Sequence, residues 1–260
     1  MIKPDPSPLM ETWFIRYIKW DLSHTFHHVY TLGEVGEIET DGRTPLIVCL
    51  NHSSWWDAML AILVESEFFG WERYAVMEET QLARYRFFTK LGMIGVDRTS
   101  MKGAREFVDF ARALLSNAKR SLWLTPQGAF RSNYTRPIKF QSGISHVVAS
   151  LEKFHFTTVA LHYEFGSERK PDAFVSFSPV ELVTVPPDFN RKEWLFAQER
   201  RMEAQLDALL AAVEARDPTL FKVFLSGKTG ANPIYDATRS LTARLKGEKF
   251  TTEHNVNSKD

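Results

Sequence analysis

From residue 45 onward the chain alternates between short apolar runs and amphipathic stretches, and this alternation predicts most of its architecture. Pro45-Leu46-Ile47-Val48-Cys49-Leu50 is an unbroken apolar run rich in β-branched residues, the signature of a strand buried on both faces. A helix is expected over 55–63, a strand around 74–76, a helix over about 81–90, and a strand with its exit over 92–98. Ser100 then caps an amphipathic helix with Met101, Ala104, Phe107, Val108, Ala111, Leu114 and Leu115 on one face. A strand at 120–124 stops at Thr125-Pro126-Gln127-Gly128. A helix follows at 144–151, then strands at 157–163 and 174–183. Pro186-Pro187 interrupts, and 191–215 is amphipathic through Leu195, Met202, Leu206, Leu209 and Val213. Strand and helix in alternation predict an α/β fold, with a mainly parallel central sheet flanked by helices.

The first 30 residues behave differently. Residues 1–8 are proline-rich and expected to be loose. Residues 9–30 hold Leu9, Met10, Trp13, Phe14, Ile15, Tyr17, Ile18, Trp20, Leu22, Phe26 and Val29, with only Thr12, Arg16, Lys19 and Ser23 as a polar stripe. A helix so apolar is either packed on its own domain or seated in a membrane interface, and the pattern favours neither. Trp and Tyr beside Arg16 and Lys19 suit the headgroup level. Residues 27–32 alternate like a strand. His24, His27 and His28 have no acidic third ligand nearby and read as surface or interface histidines rather than a metal site. The expected organisation is an aromatic N-terminal helix (1–30), an α/β domain (31–190), a helical C-terminal region packed on it (191–245) and a polar, disordered tail (246–260).

Composition narrows the class. The 260 residues are 44% hydrophobic, enough for one sizeable core, and 32 basic residues balance 32 acidic ones, so no global charge invites nucleic acid. Cys49 is the single cysteine and lies inside a predicted core strand, where an inert small hydrophobe is expected rather than a nucleophile. No window approaches about 20 apolar residues, so no membrane-spanning helix is expected. No secretory leader is apparent, and a cytoplasmic location is expected. Ser226-Gly227-Lys228-Thr229 resembles the end of a phosphate loop, but Lys222 stands where its first glycine belongs. Asn51-His52-Ser53 fits a glycosylation sequon at the end of a core strand and reads as chance.

The candidate chemistry starts where the core strand ends. Asn51-His52-Ser53-Ser54-Trp55-Trp56-Asp57 sets a carboxylate five residues after a histidine. Within one helix these two would point roughly 140° apart. With His52 in the turn and Asp57 in the first helical turn, the carboxylate can fold back on the imidazole, fix its tautomer and raise its basicity. The competing reading is a capping turn with Ser53 or Ser54 as the cap and His52 a bystander, and spacing alone does not separate the two. Three later stretches bear on the choice. Val96-Asp97-Arg98 ends a strand with a guanidinium suited to an anion. Pro126-Gln127-Gly128 sets a glycine at a strand's carboxyl end. Gly143 opens a helix, and Val159-Ala160-Leu161 lies in the next strand.

Together these residues resemble the glycerolipid acyltransferases, the family of 1-acylglycerol-3-phosphate acyltransferases. Asn51, His52, Ser54 and Asp57 match its Asn-His-x-Ser-x-x-Asp block, and Gly92 to Arg98 matches its second block, an apolar run ending in Asp-Arg. Pro126-Gln127-Gly128-Ala129-Phe130-Arg131 is similar to its third, Glu-Gly-Thr-Arg, and Thr158-Val159-Ala160-Leu161 to its fourth. The likeness covers roughly 26–165. Gln127 replaces the family's acid, Arg131 comes one residue late, and Met77 stands where many members carry Lys. These departures weaken the expectation of a phosphate-bearing acceptor more than that of acyl transfer.

The resemblance implies transfer of a fatty acyl group from acyl-CoA or acyl carrier protein to a hydroxyl of a lysophospholipid or another lipid or glycolipid. It implies His52 as general base, held by Asp57. Arg98, Arg131, Gln127, Gly128, Asn51 and Ser54 would shape the acceptor and oxyanion sites, with backbone N–H groups near Gly128 as oxyanion donors. No cofactor and no metal are expected. The partners implied are the acyl carrier, the lipid acceptor and a membrane surface met from the cytoplasmic side through the first helix. A thioester or ester hydrolase using the same pair and a membrane-binding protein with a vestigial site stand as alternatives; a histidine metal hydrolase lacks further ligands at a useful spacing.

Overall fold

The computed structural model describes residues 1–36, 38, 41–116 and 119–227; the expected polar tail and the last part of the expected C-terminal helical region lie outside them. The core strand β2 (Leu46–Leu50) is the middle of the sheet. It runs parallel to β5 (Arg120–Leu124) on one side and to β6 (Lys153–Glu164) on the other. Beyond β5 the parallel run continues through β3 (Glu72–Glu78) to β4 (Met93–Val96). Beyond β6 the sheet turns mixed. β7 (Asp172–Phe177) is antiparallel to β6, β1 (His28–Leu32) is parallel to β7, and β9 (Lys222–Ser226) is antiparallel to β1. β8 (Glu181–Thr184) pairs with the start of β6.

Three layers follow from the alternation of side chains along β2. Leu46, Val48 and Leu50 face one apolar cluster, built with α1 (Pro8–Thr25) and α2 (Asp57–Val64). Ile47 and Cys49 face the other, built with α4 (Met101–Leu115), α5 (Gly143–Val148) and α6 (Arg191–Glu214). All five residues of β2 are buried, which is why the strand reads as a continuous apolar run and not as an alternating one. A short α3 (Glu79–Arg84) and a 3-10 helix (Arg86–Leu91) occupy the stretch expected as one helix, between β3 and β4.

Several expectations change. Residues 1–8 are tied down: Ile2 bridges Gly95 beside β4, and the Asp5 and Ser7 amides donate to Thr89 and Lys90 carbonyls. The strand expected over 174–183 is two strands. β6 is long enough to pair with β7 along its second half and β8 along its first, and Pro179, which has no N–H to donate, falls in the switch between them. In α4 the buried row is Gly103, Phe107, Ala111 and Leu115, while Met101 and Ala104 are exposed. The helix rolls this way because the Gly103 backbone lies against the strand exit; a Cβ there would come within 2.3 Å of the Asp97 carbonyl oxygen. The region after α6 is not all helical, because β9 returns to the sheet edge beside β1. His27 is buried rather than at the surface, its Nδ1 3.1 Å from Asp172 Oδ1.

The aromatic N-terminal helix packs one face on its own domain and leaves the other exposed. Phe14, Ile18 and Leu22, one row at four-residue spacing, are buried in the core. Leu9, Trp13, Tyr17 and Trp20 face outward, with Trp13 57% and Trp20 55% exposed. Trp13 stacks on Tyr17, and Arg16 and Lys19 are exposed among them. Glu11 accepts from the buried Arg73 guanidinium of β3 at 3.0 Å, which fixes the helix on the sheet. Among the described residues no helix is long and apolar enough to cross a membrane.

Candidate active site

The site forms where β2 ends. Asn51 is buried and its side chain does the work of a strand neighbour. Its Oδ1 accepts from the Leu161 amide of β6 at 2.7 Å, and its Nδ2 donates to the Leu161 carbonyl at 2.9 Å and to Asn133 Oδ1 at 2.7 Å. The amide therefore ends the sheet pairing without orphaning the β6 backbone. The next residue, His52, is held through its main chain. Its N–H donates to Gln127 Oε1 at 2.8 Å and its carbonyl accepts from the Arg131 amide at 2.7 Å. Gln127, in place of an acid, thus fixes the histidine turn.

The imidazole Nδ1 lies 2.9 Å from Asp57 Oδ2. Asp57 is the first residue of α2 and fully buried. The same Oδ2 accepts from the Ser53 and Ser54 amides at 2.7 and 2.9 Å. These donors hold Oδ2 in place at the helix N-terminus. With Nδ1 engaged, Nε2 is the nitrogen left for chemistry, on a side chain that is 24% exposed. The capping-turn reading fails here. Among the described residues, Ser54 contributes its amide, its hydroxyl reaching only the Trp56 amide at 3.3 Å, and the Ser53 hydroxyl has no partner.

The other expected residues gather round this pair. Arg98 leaves β4 and donates from Nη1 to the Gly128 carbonyl at 2.7 Å, its guanidinium half-exposed. Asp97 anchors the turn behind it, held down to about 2 by hydrogen bonds from Thr99 and Ser100. Gly128 has φ +72, which favours glycine, and a Cβ there would sit 3.0 Å from the Gln141 side chain. Its amide donates to Thr125 within the turn at 3.0 Å, so the oxyanion donor expected at Gly128 itself is already engaged. The Arg131 side chain lines a cleft of about 240 Å³ with Gln127, Thr135, Lys139, Phe140 and Gln141. Cys49 is inert in the strand, its thiol pushed far up by burial.

Three neighbours were not legible in the sequence. Tyr163 on β6 donates to Asp57 Oδ1 at 2.7 Å; burial, then the adjacent carboxylate, pushes its phenol well up. Asn133 completes the Asn51 network. The Phe130 ring lies 4.2 Å from the imidazole, centroid to centroid, and is 58% exposed. None stands at a local spacing from His52 that a motif would catch.

The family model described as Acyltransferase matches residues 28–162, more than half of the chain. The chain belongs to the Acyltransferase family, the glycerolipid, 1-acylglycerol-3-phosphate acyltransferase-like group, and is an acyltransferase. No curated protein matches it. The Acyltransferase match takes in every expected site residue from Asn51 to Arg131. It begins after α1 and ends one residue before Tyr163. Its mainly parallel sheet with helices on both faces is the architecture of this fold class.

Proposed function

We propose that the protein transfers a fatty acyl group from a thioester carrier, acyl-CoA or acyl carrier protein, to a hydroxyl of a lysophospholipid, glycolipid or related lipid. The observation that carries this is the His52 Nδ1–Asp57 Oδ2 contact of 2.9 Å at the carboxyl end of the central parallel strand. His52 Nε2 takes the acceptor's hydroxyl proton as its oxygen attacks the thioester carbonyl. Asp57 holds the imidazole and balances the imidazolium that forms. The tetrahedral intermediate collapses, the C–S bond breaks, and the imidazolium returns its proton to the leaving thiolate. Arg131 and Arg98, with the polar groups of Gln127, Thr135 and Gln141, support an anionic or hydroxyl-rich headgroup as the acceptor.

The test is incubation of purified protein with a labelled long-chain acyl-CoA, and separately an acyl carrier protein thioester, over a mixed lysolipid and glycolipid extract. Mass spectrometry should find an acylated lipid together with free carrier thiol. Free fatty acid with no acylated lipid would show a hydrolase instead. An intact donor in both arms would show a vestigial site.

The exposed row Leu9, Trp13, Tyr17 and Trp20 supports a peripheral seat on the cytoplasmic face of a membrane, where the acceptor lies. Replacing Trp13 and Trp20 together by alanine should weaken co-sedimentation with anionic lipid vesicles by about tenfold or more, since each indole contributes roughly 1–2 kcal/mol of buried apolar area. The folded core is untouched by this change, so circular dichroism should be unaltered. Unchanged sedimentation would remove α1 as the docking element.

A further inference from the structure

We infer that Tyr163 is a positioning residue for acyl transfer, acting through Asp57; the inference rests on the dyad proposed above. A carboxylate can turn about its terminal bond, and only one of its oxygens faces His52. In this site Oδ2 takes three donors, the His52 imidazole and the Ser53 and Ser54 amides, all from one turn. Among the described residues, Oδ1 has a single donor, from elsewhere in the fold, the Tyr163 hydroxyl at 2.7 Å. This bond comes from β6, on the same face of the sheet as α2, and holds the carboxylate oxygen that His52 does not use. The Tyr163 ring is in turn held against Phe26, centroids 5.8 Å apart. The hydroxyl also draws charge toward Oδ1, so it moderates how strongly Oδ2 pulls on the imidazole proton.

The titratable groups in contact with this pair, among the described residues, are His52, Asp57 and Tyr163; Arg131 meets His52 through its backbone amide alone. Loss of the hydroxyl concentrates charge on Oδ2. The imidazole then binds its proton more tightly, and less free base is available at a given pH.

Tyr163→Phe keeps the ring and removes only the donor. Two readouts decide the matter. In protein labelled with 15N-histidine, with His52 assigned by its loss in His52→Gln, the imidazole of the variant should titrate at higher pH than in the parent. This needs no substrate, so it stands even if the transferred group is misjudged. In the acyl-transfer assay the acid limb of the kcat/KM profile should move to higher pH. On that limb the rate should fall by about tenfold, one pH unit being a factor of ten, with KM for the donor within about twofold. A folded Tyr163→Phe protein whose His52 titration and acid limb both stay where they were would overturn the inference, because a space-filling tyrosine predicts that result. If the phenylalanine variant does not fold, 3-fluorotyrosine introduced at 163 supplies the test. Its more acidic hydroxyl is a stronger donor, and the His52 titration should move to lower pH; no movement would overturn the inference equally.

Discussion

His52→Gln lowers kcat for acyl transfer by about 10²–10⁴-fold, the range for loss of a positioned general base. The glutamine amide can still meet Asp57, so the carboxylate is not left unpaired in its buried position. The backbone of residue 52 stays bracketed by Gln127 and Arg131, since both bonds are to main-chain atoms. Thermal unfolding should therefore shift by no more than a few degrees, and the fall belongs to chemistry. Donor KM should change little, because binding of the acyl carrier does not require the imidazole. The measurement is initial rate against donor concentration, beside a melting curve. Rates equal to the parent's would place the base elsewhere and sink the mechanism.

Gly92→Ala should be strongly destabilising although it lies outside the site. Gly92 closes the 3-10 helix at φ +79, a left-handed conformation that costs an alanine of order 1 kcal/mol. A Cβ there would also sit 2.4 Å from the Arg73 carbonyl oxygen, a backbone atom of β3 that no rotamer can move aside. Relief requires β3 and β4 to separate where the Ala75 amide donates to the Gly92 carbonyl at 3.2 Å. Strain and overpacking together should reduce the unfolding free energy by about 3 kcal/mol. Urea denaturation of parent and variant measures this as a lower midpoint at similar slope. β4 leads into Asp97 and Arg98, so donor or acceptor KM should rise as well. An unchanged midpoint would mean that the contact relaxes without loss.

Much of the site was legible because its parts are local. A histidine at a strand end and an aspartate five residues on can meet only if one lies in the turn, and the structure has that arrangement: β2 stops at Leu50 and α2 starts at Asp57. Arg98 and Gly128 were each recognisable as a strand exit, yet the bond between them is a tertiary fact. The failures share one cause. Pattern reports which positions are apolar, but not which neighbour each one finds. Met101 and Phe107 look equivalent on α4, and only the close approach of Gly103 to the Asp97 carbonyl decides that Met101 is left outside. The strand expected over 174–183 is divided by the length of β6, a partner that a reading of one segment does not contain.

The alternation of strands and helices through 45–163, the buried middle strand and a spacing that lets Asp57 fold back on His52 follow from the amino-acid sequence alone. Each depends on residues within a few positions of one another, where side-chain period and turn chemistry set the geometry. The mixed half of the sheet, the return of β9 to its edge, the Asn51–Asn133 bridge and the Tyr163 hydroxyl on Asp57 were settled only by tertiary structure. They join segments separated by tens to more than a hundred residues, as in the 106 residues between Asp57 and Tyr163. Such pairs form because buried polar groups and sheet edges must find partners when the core closes, and which partner is available depends on how the whole chain packs.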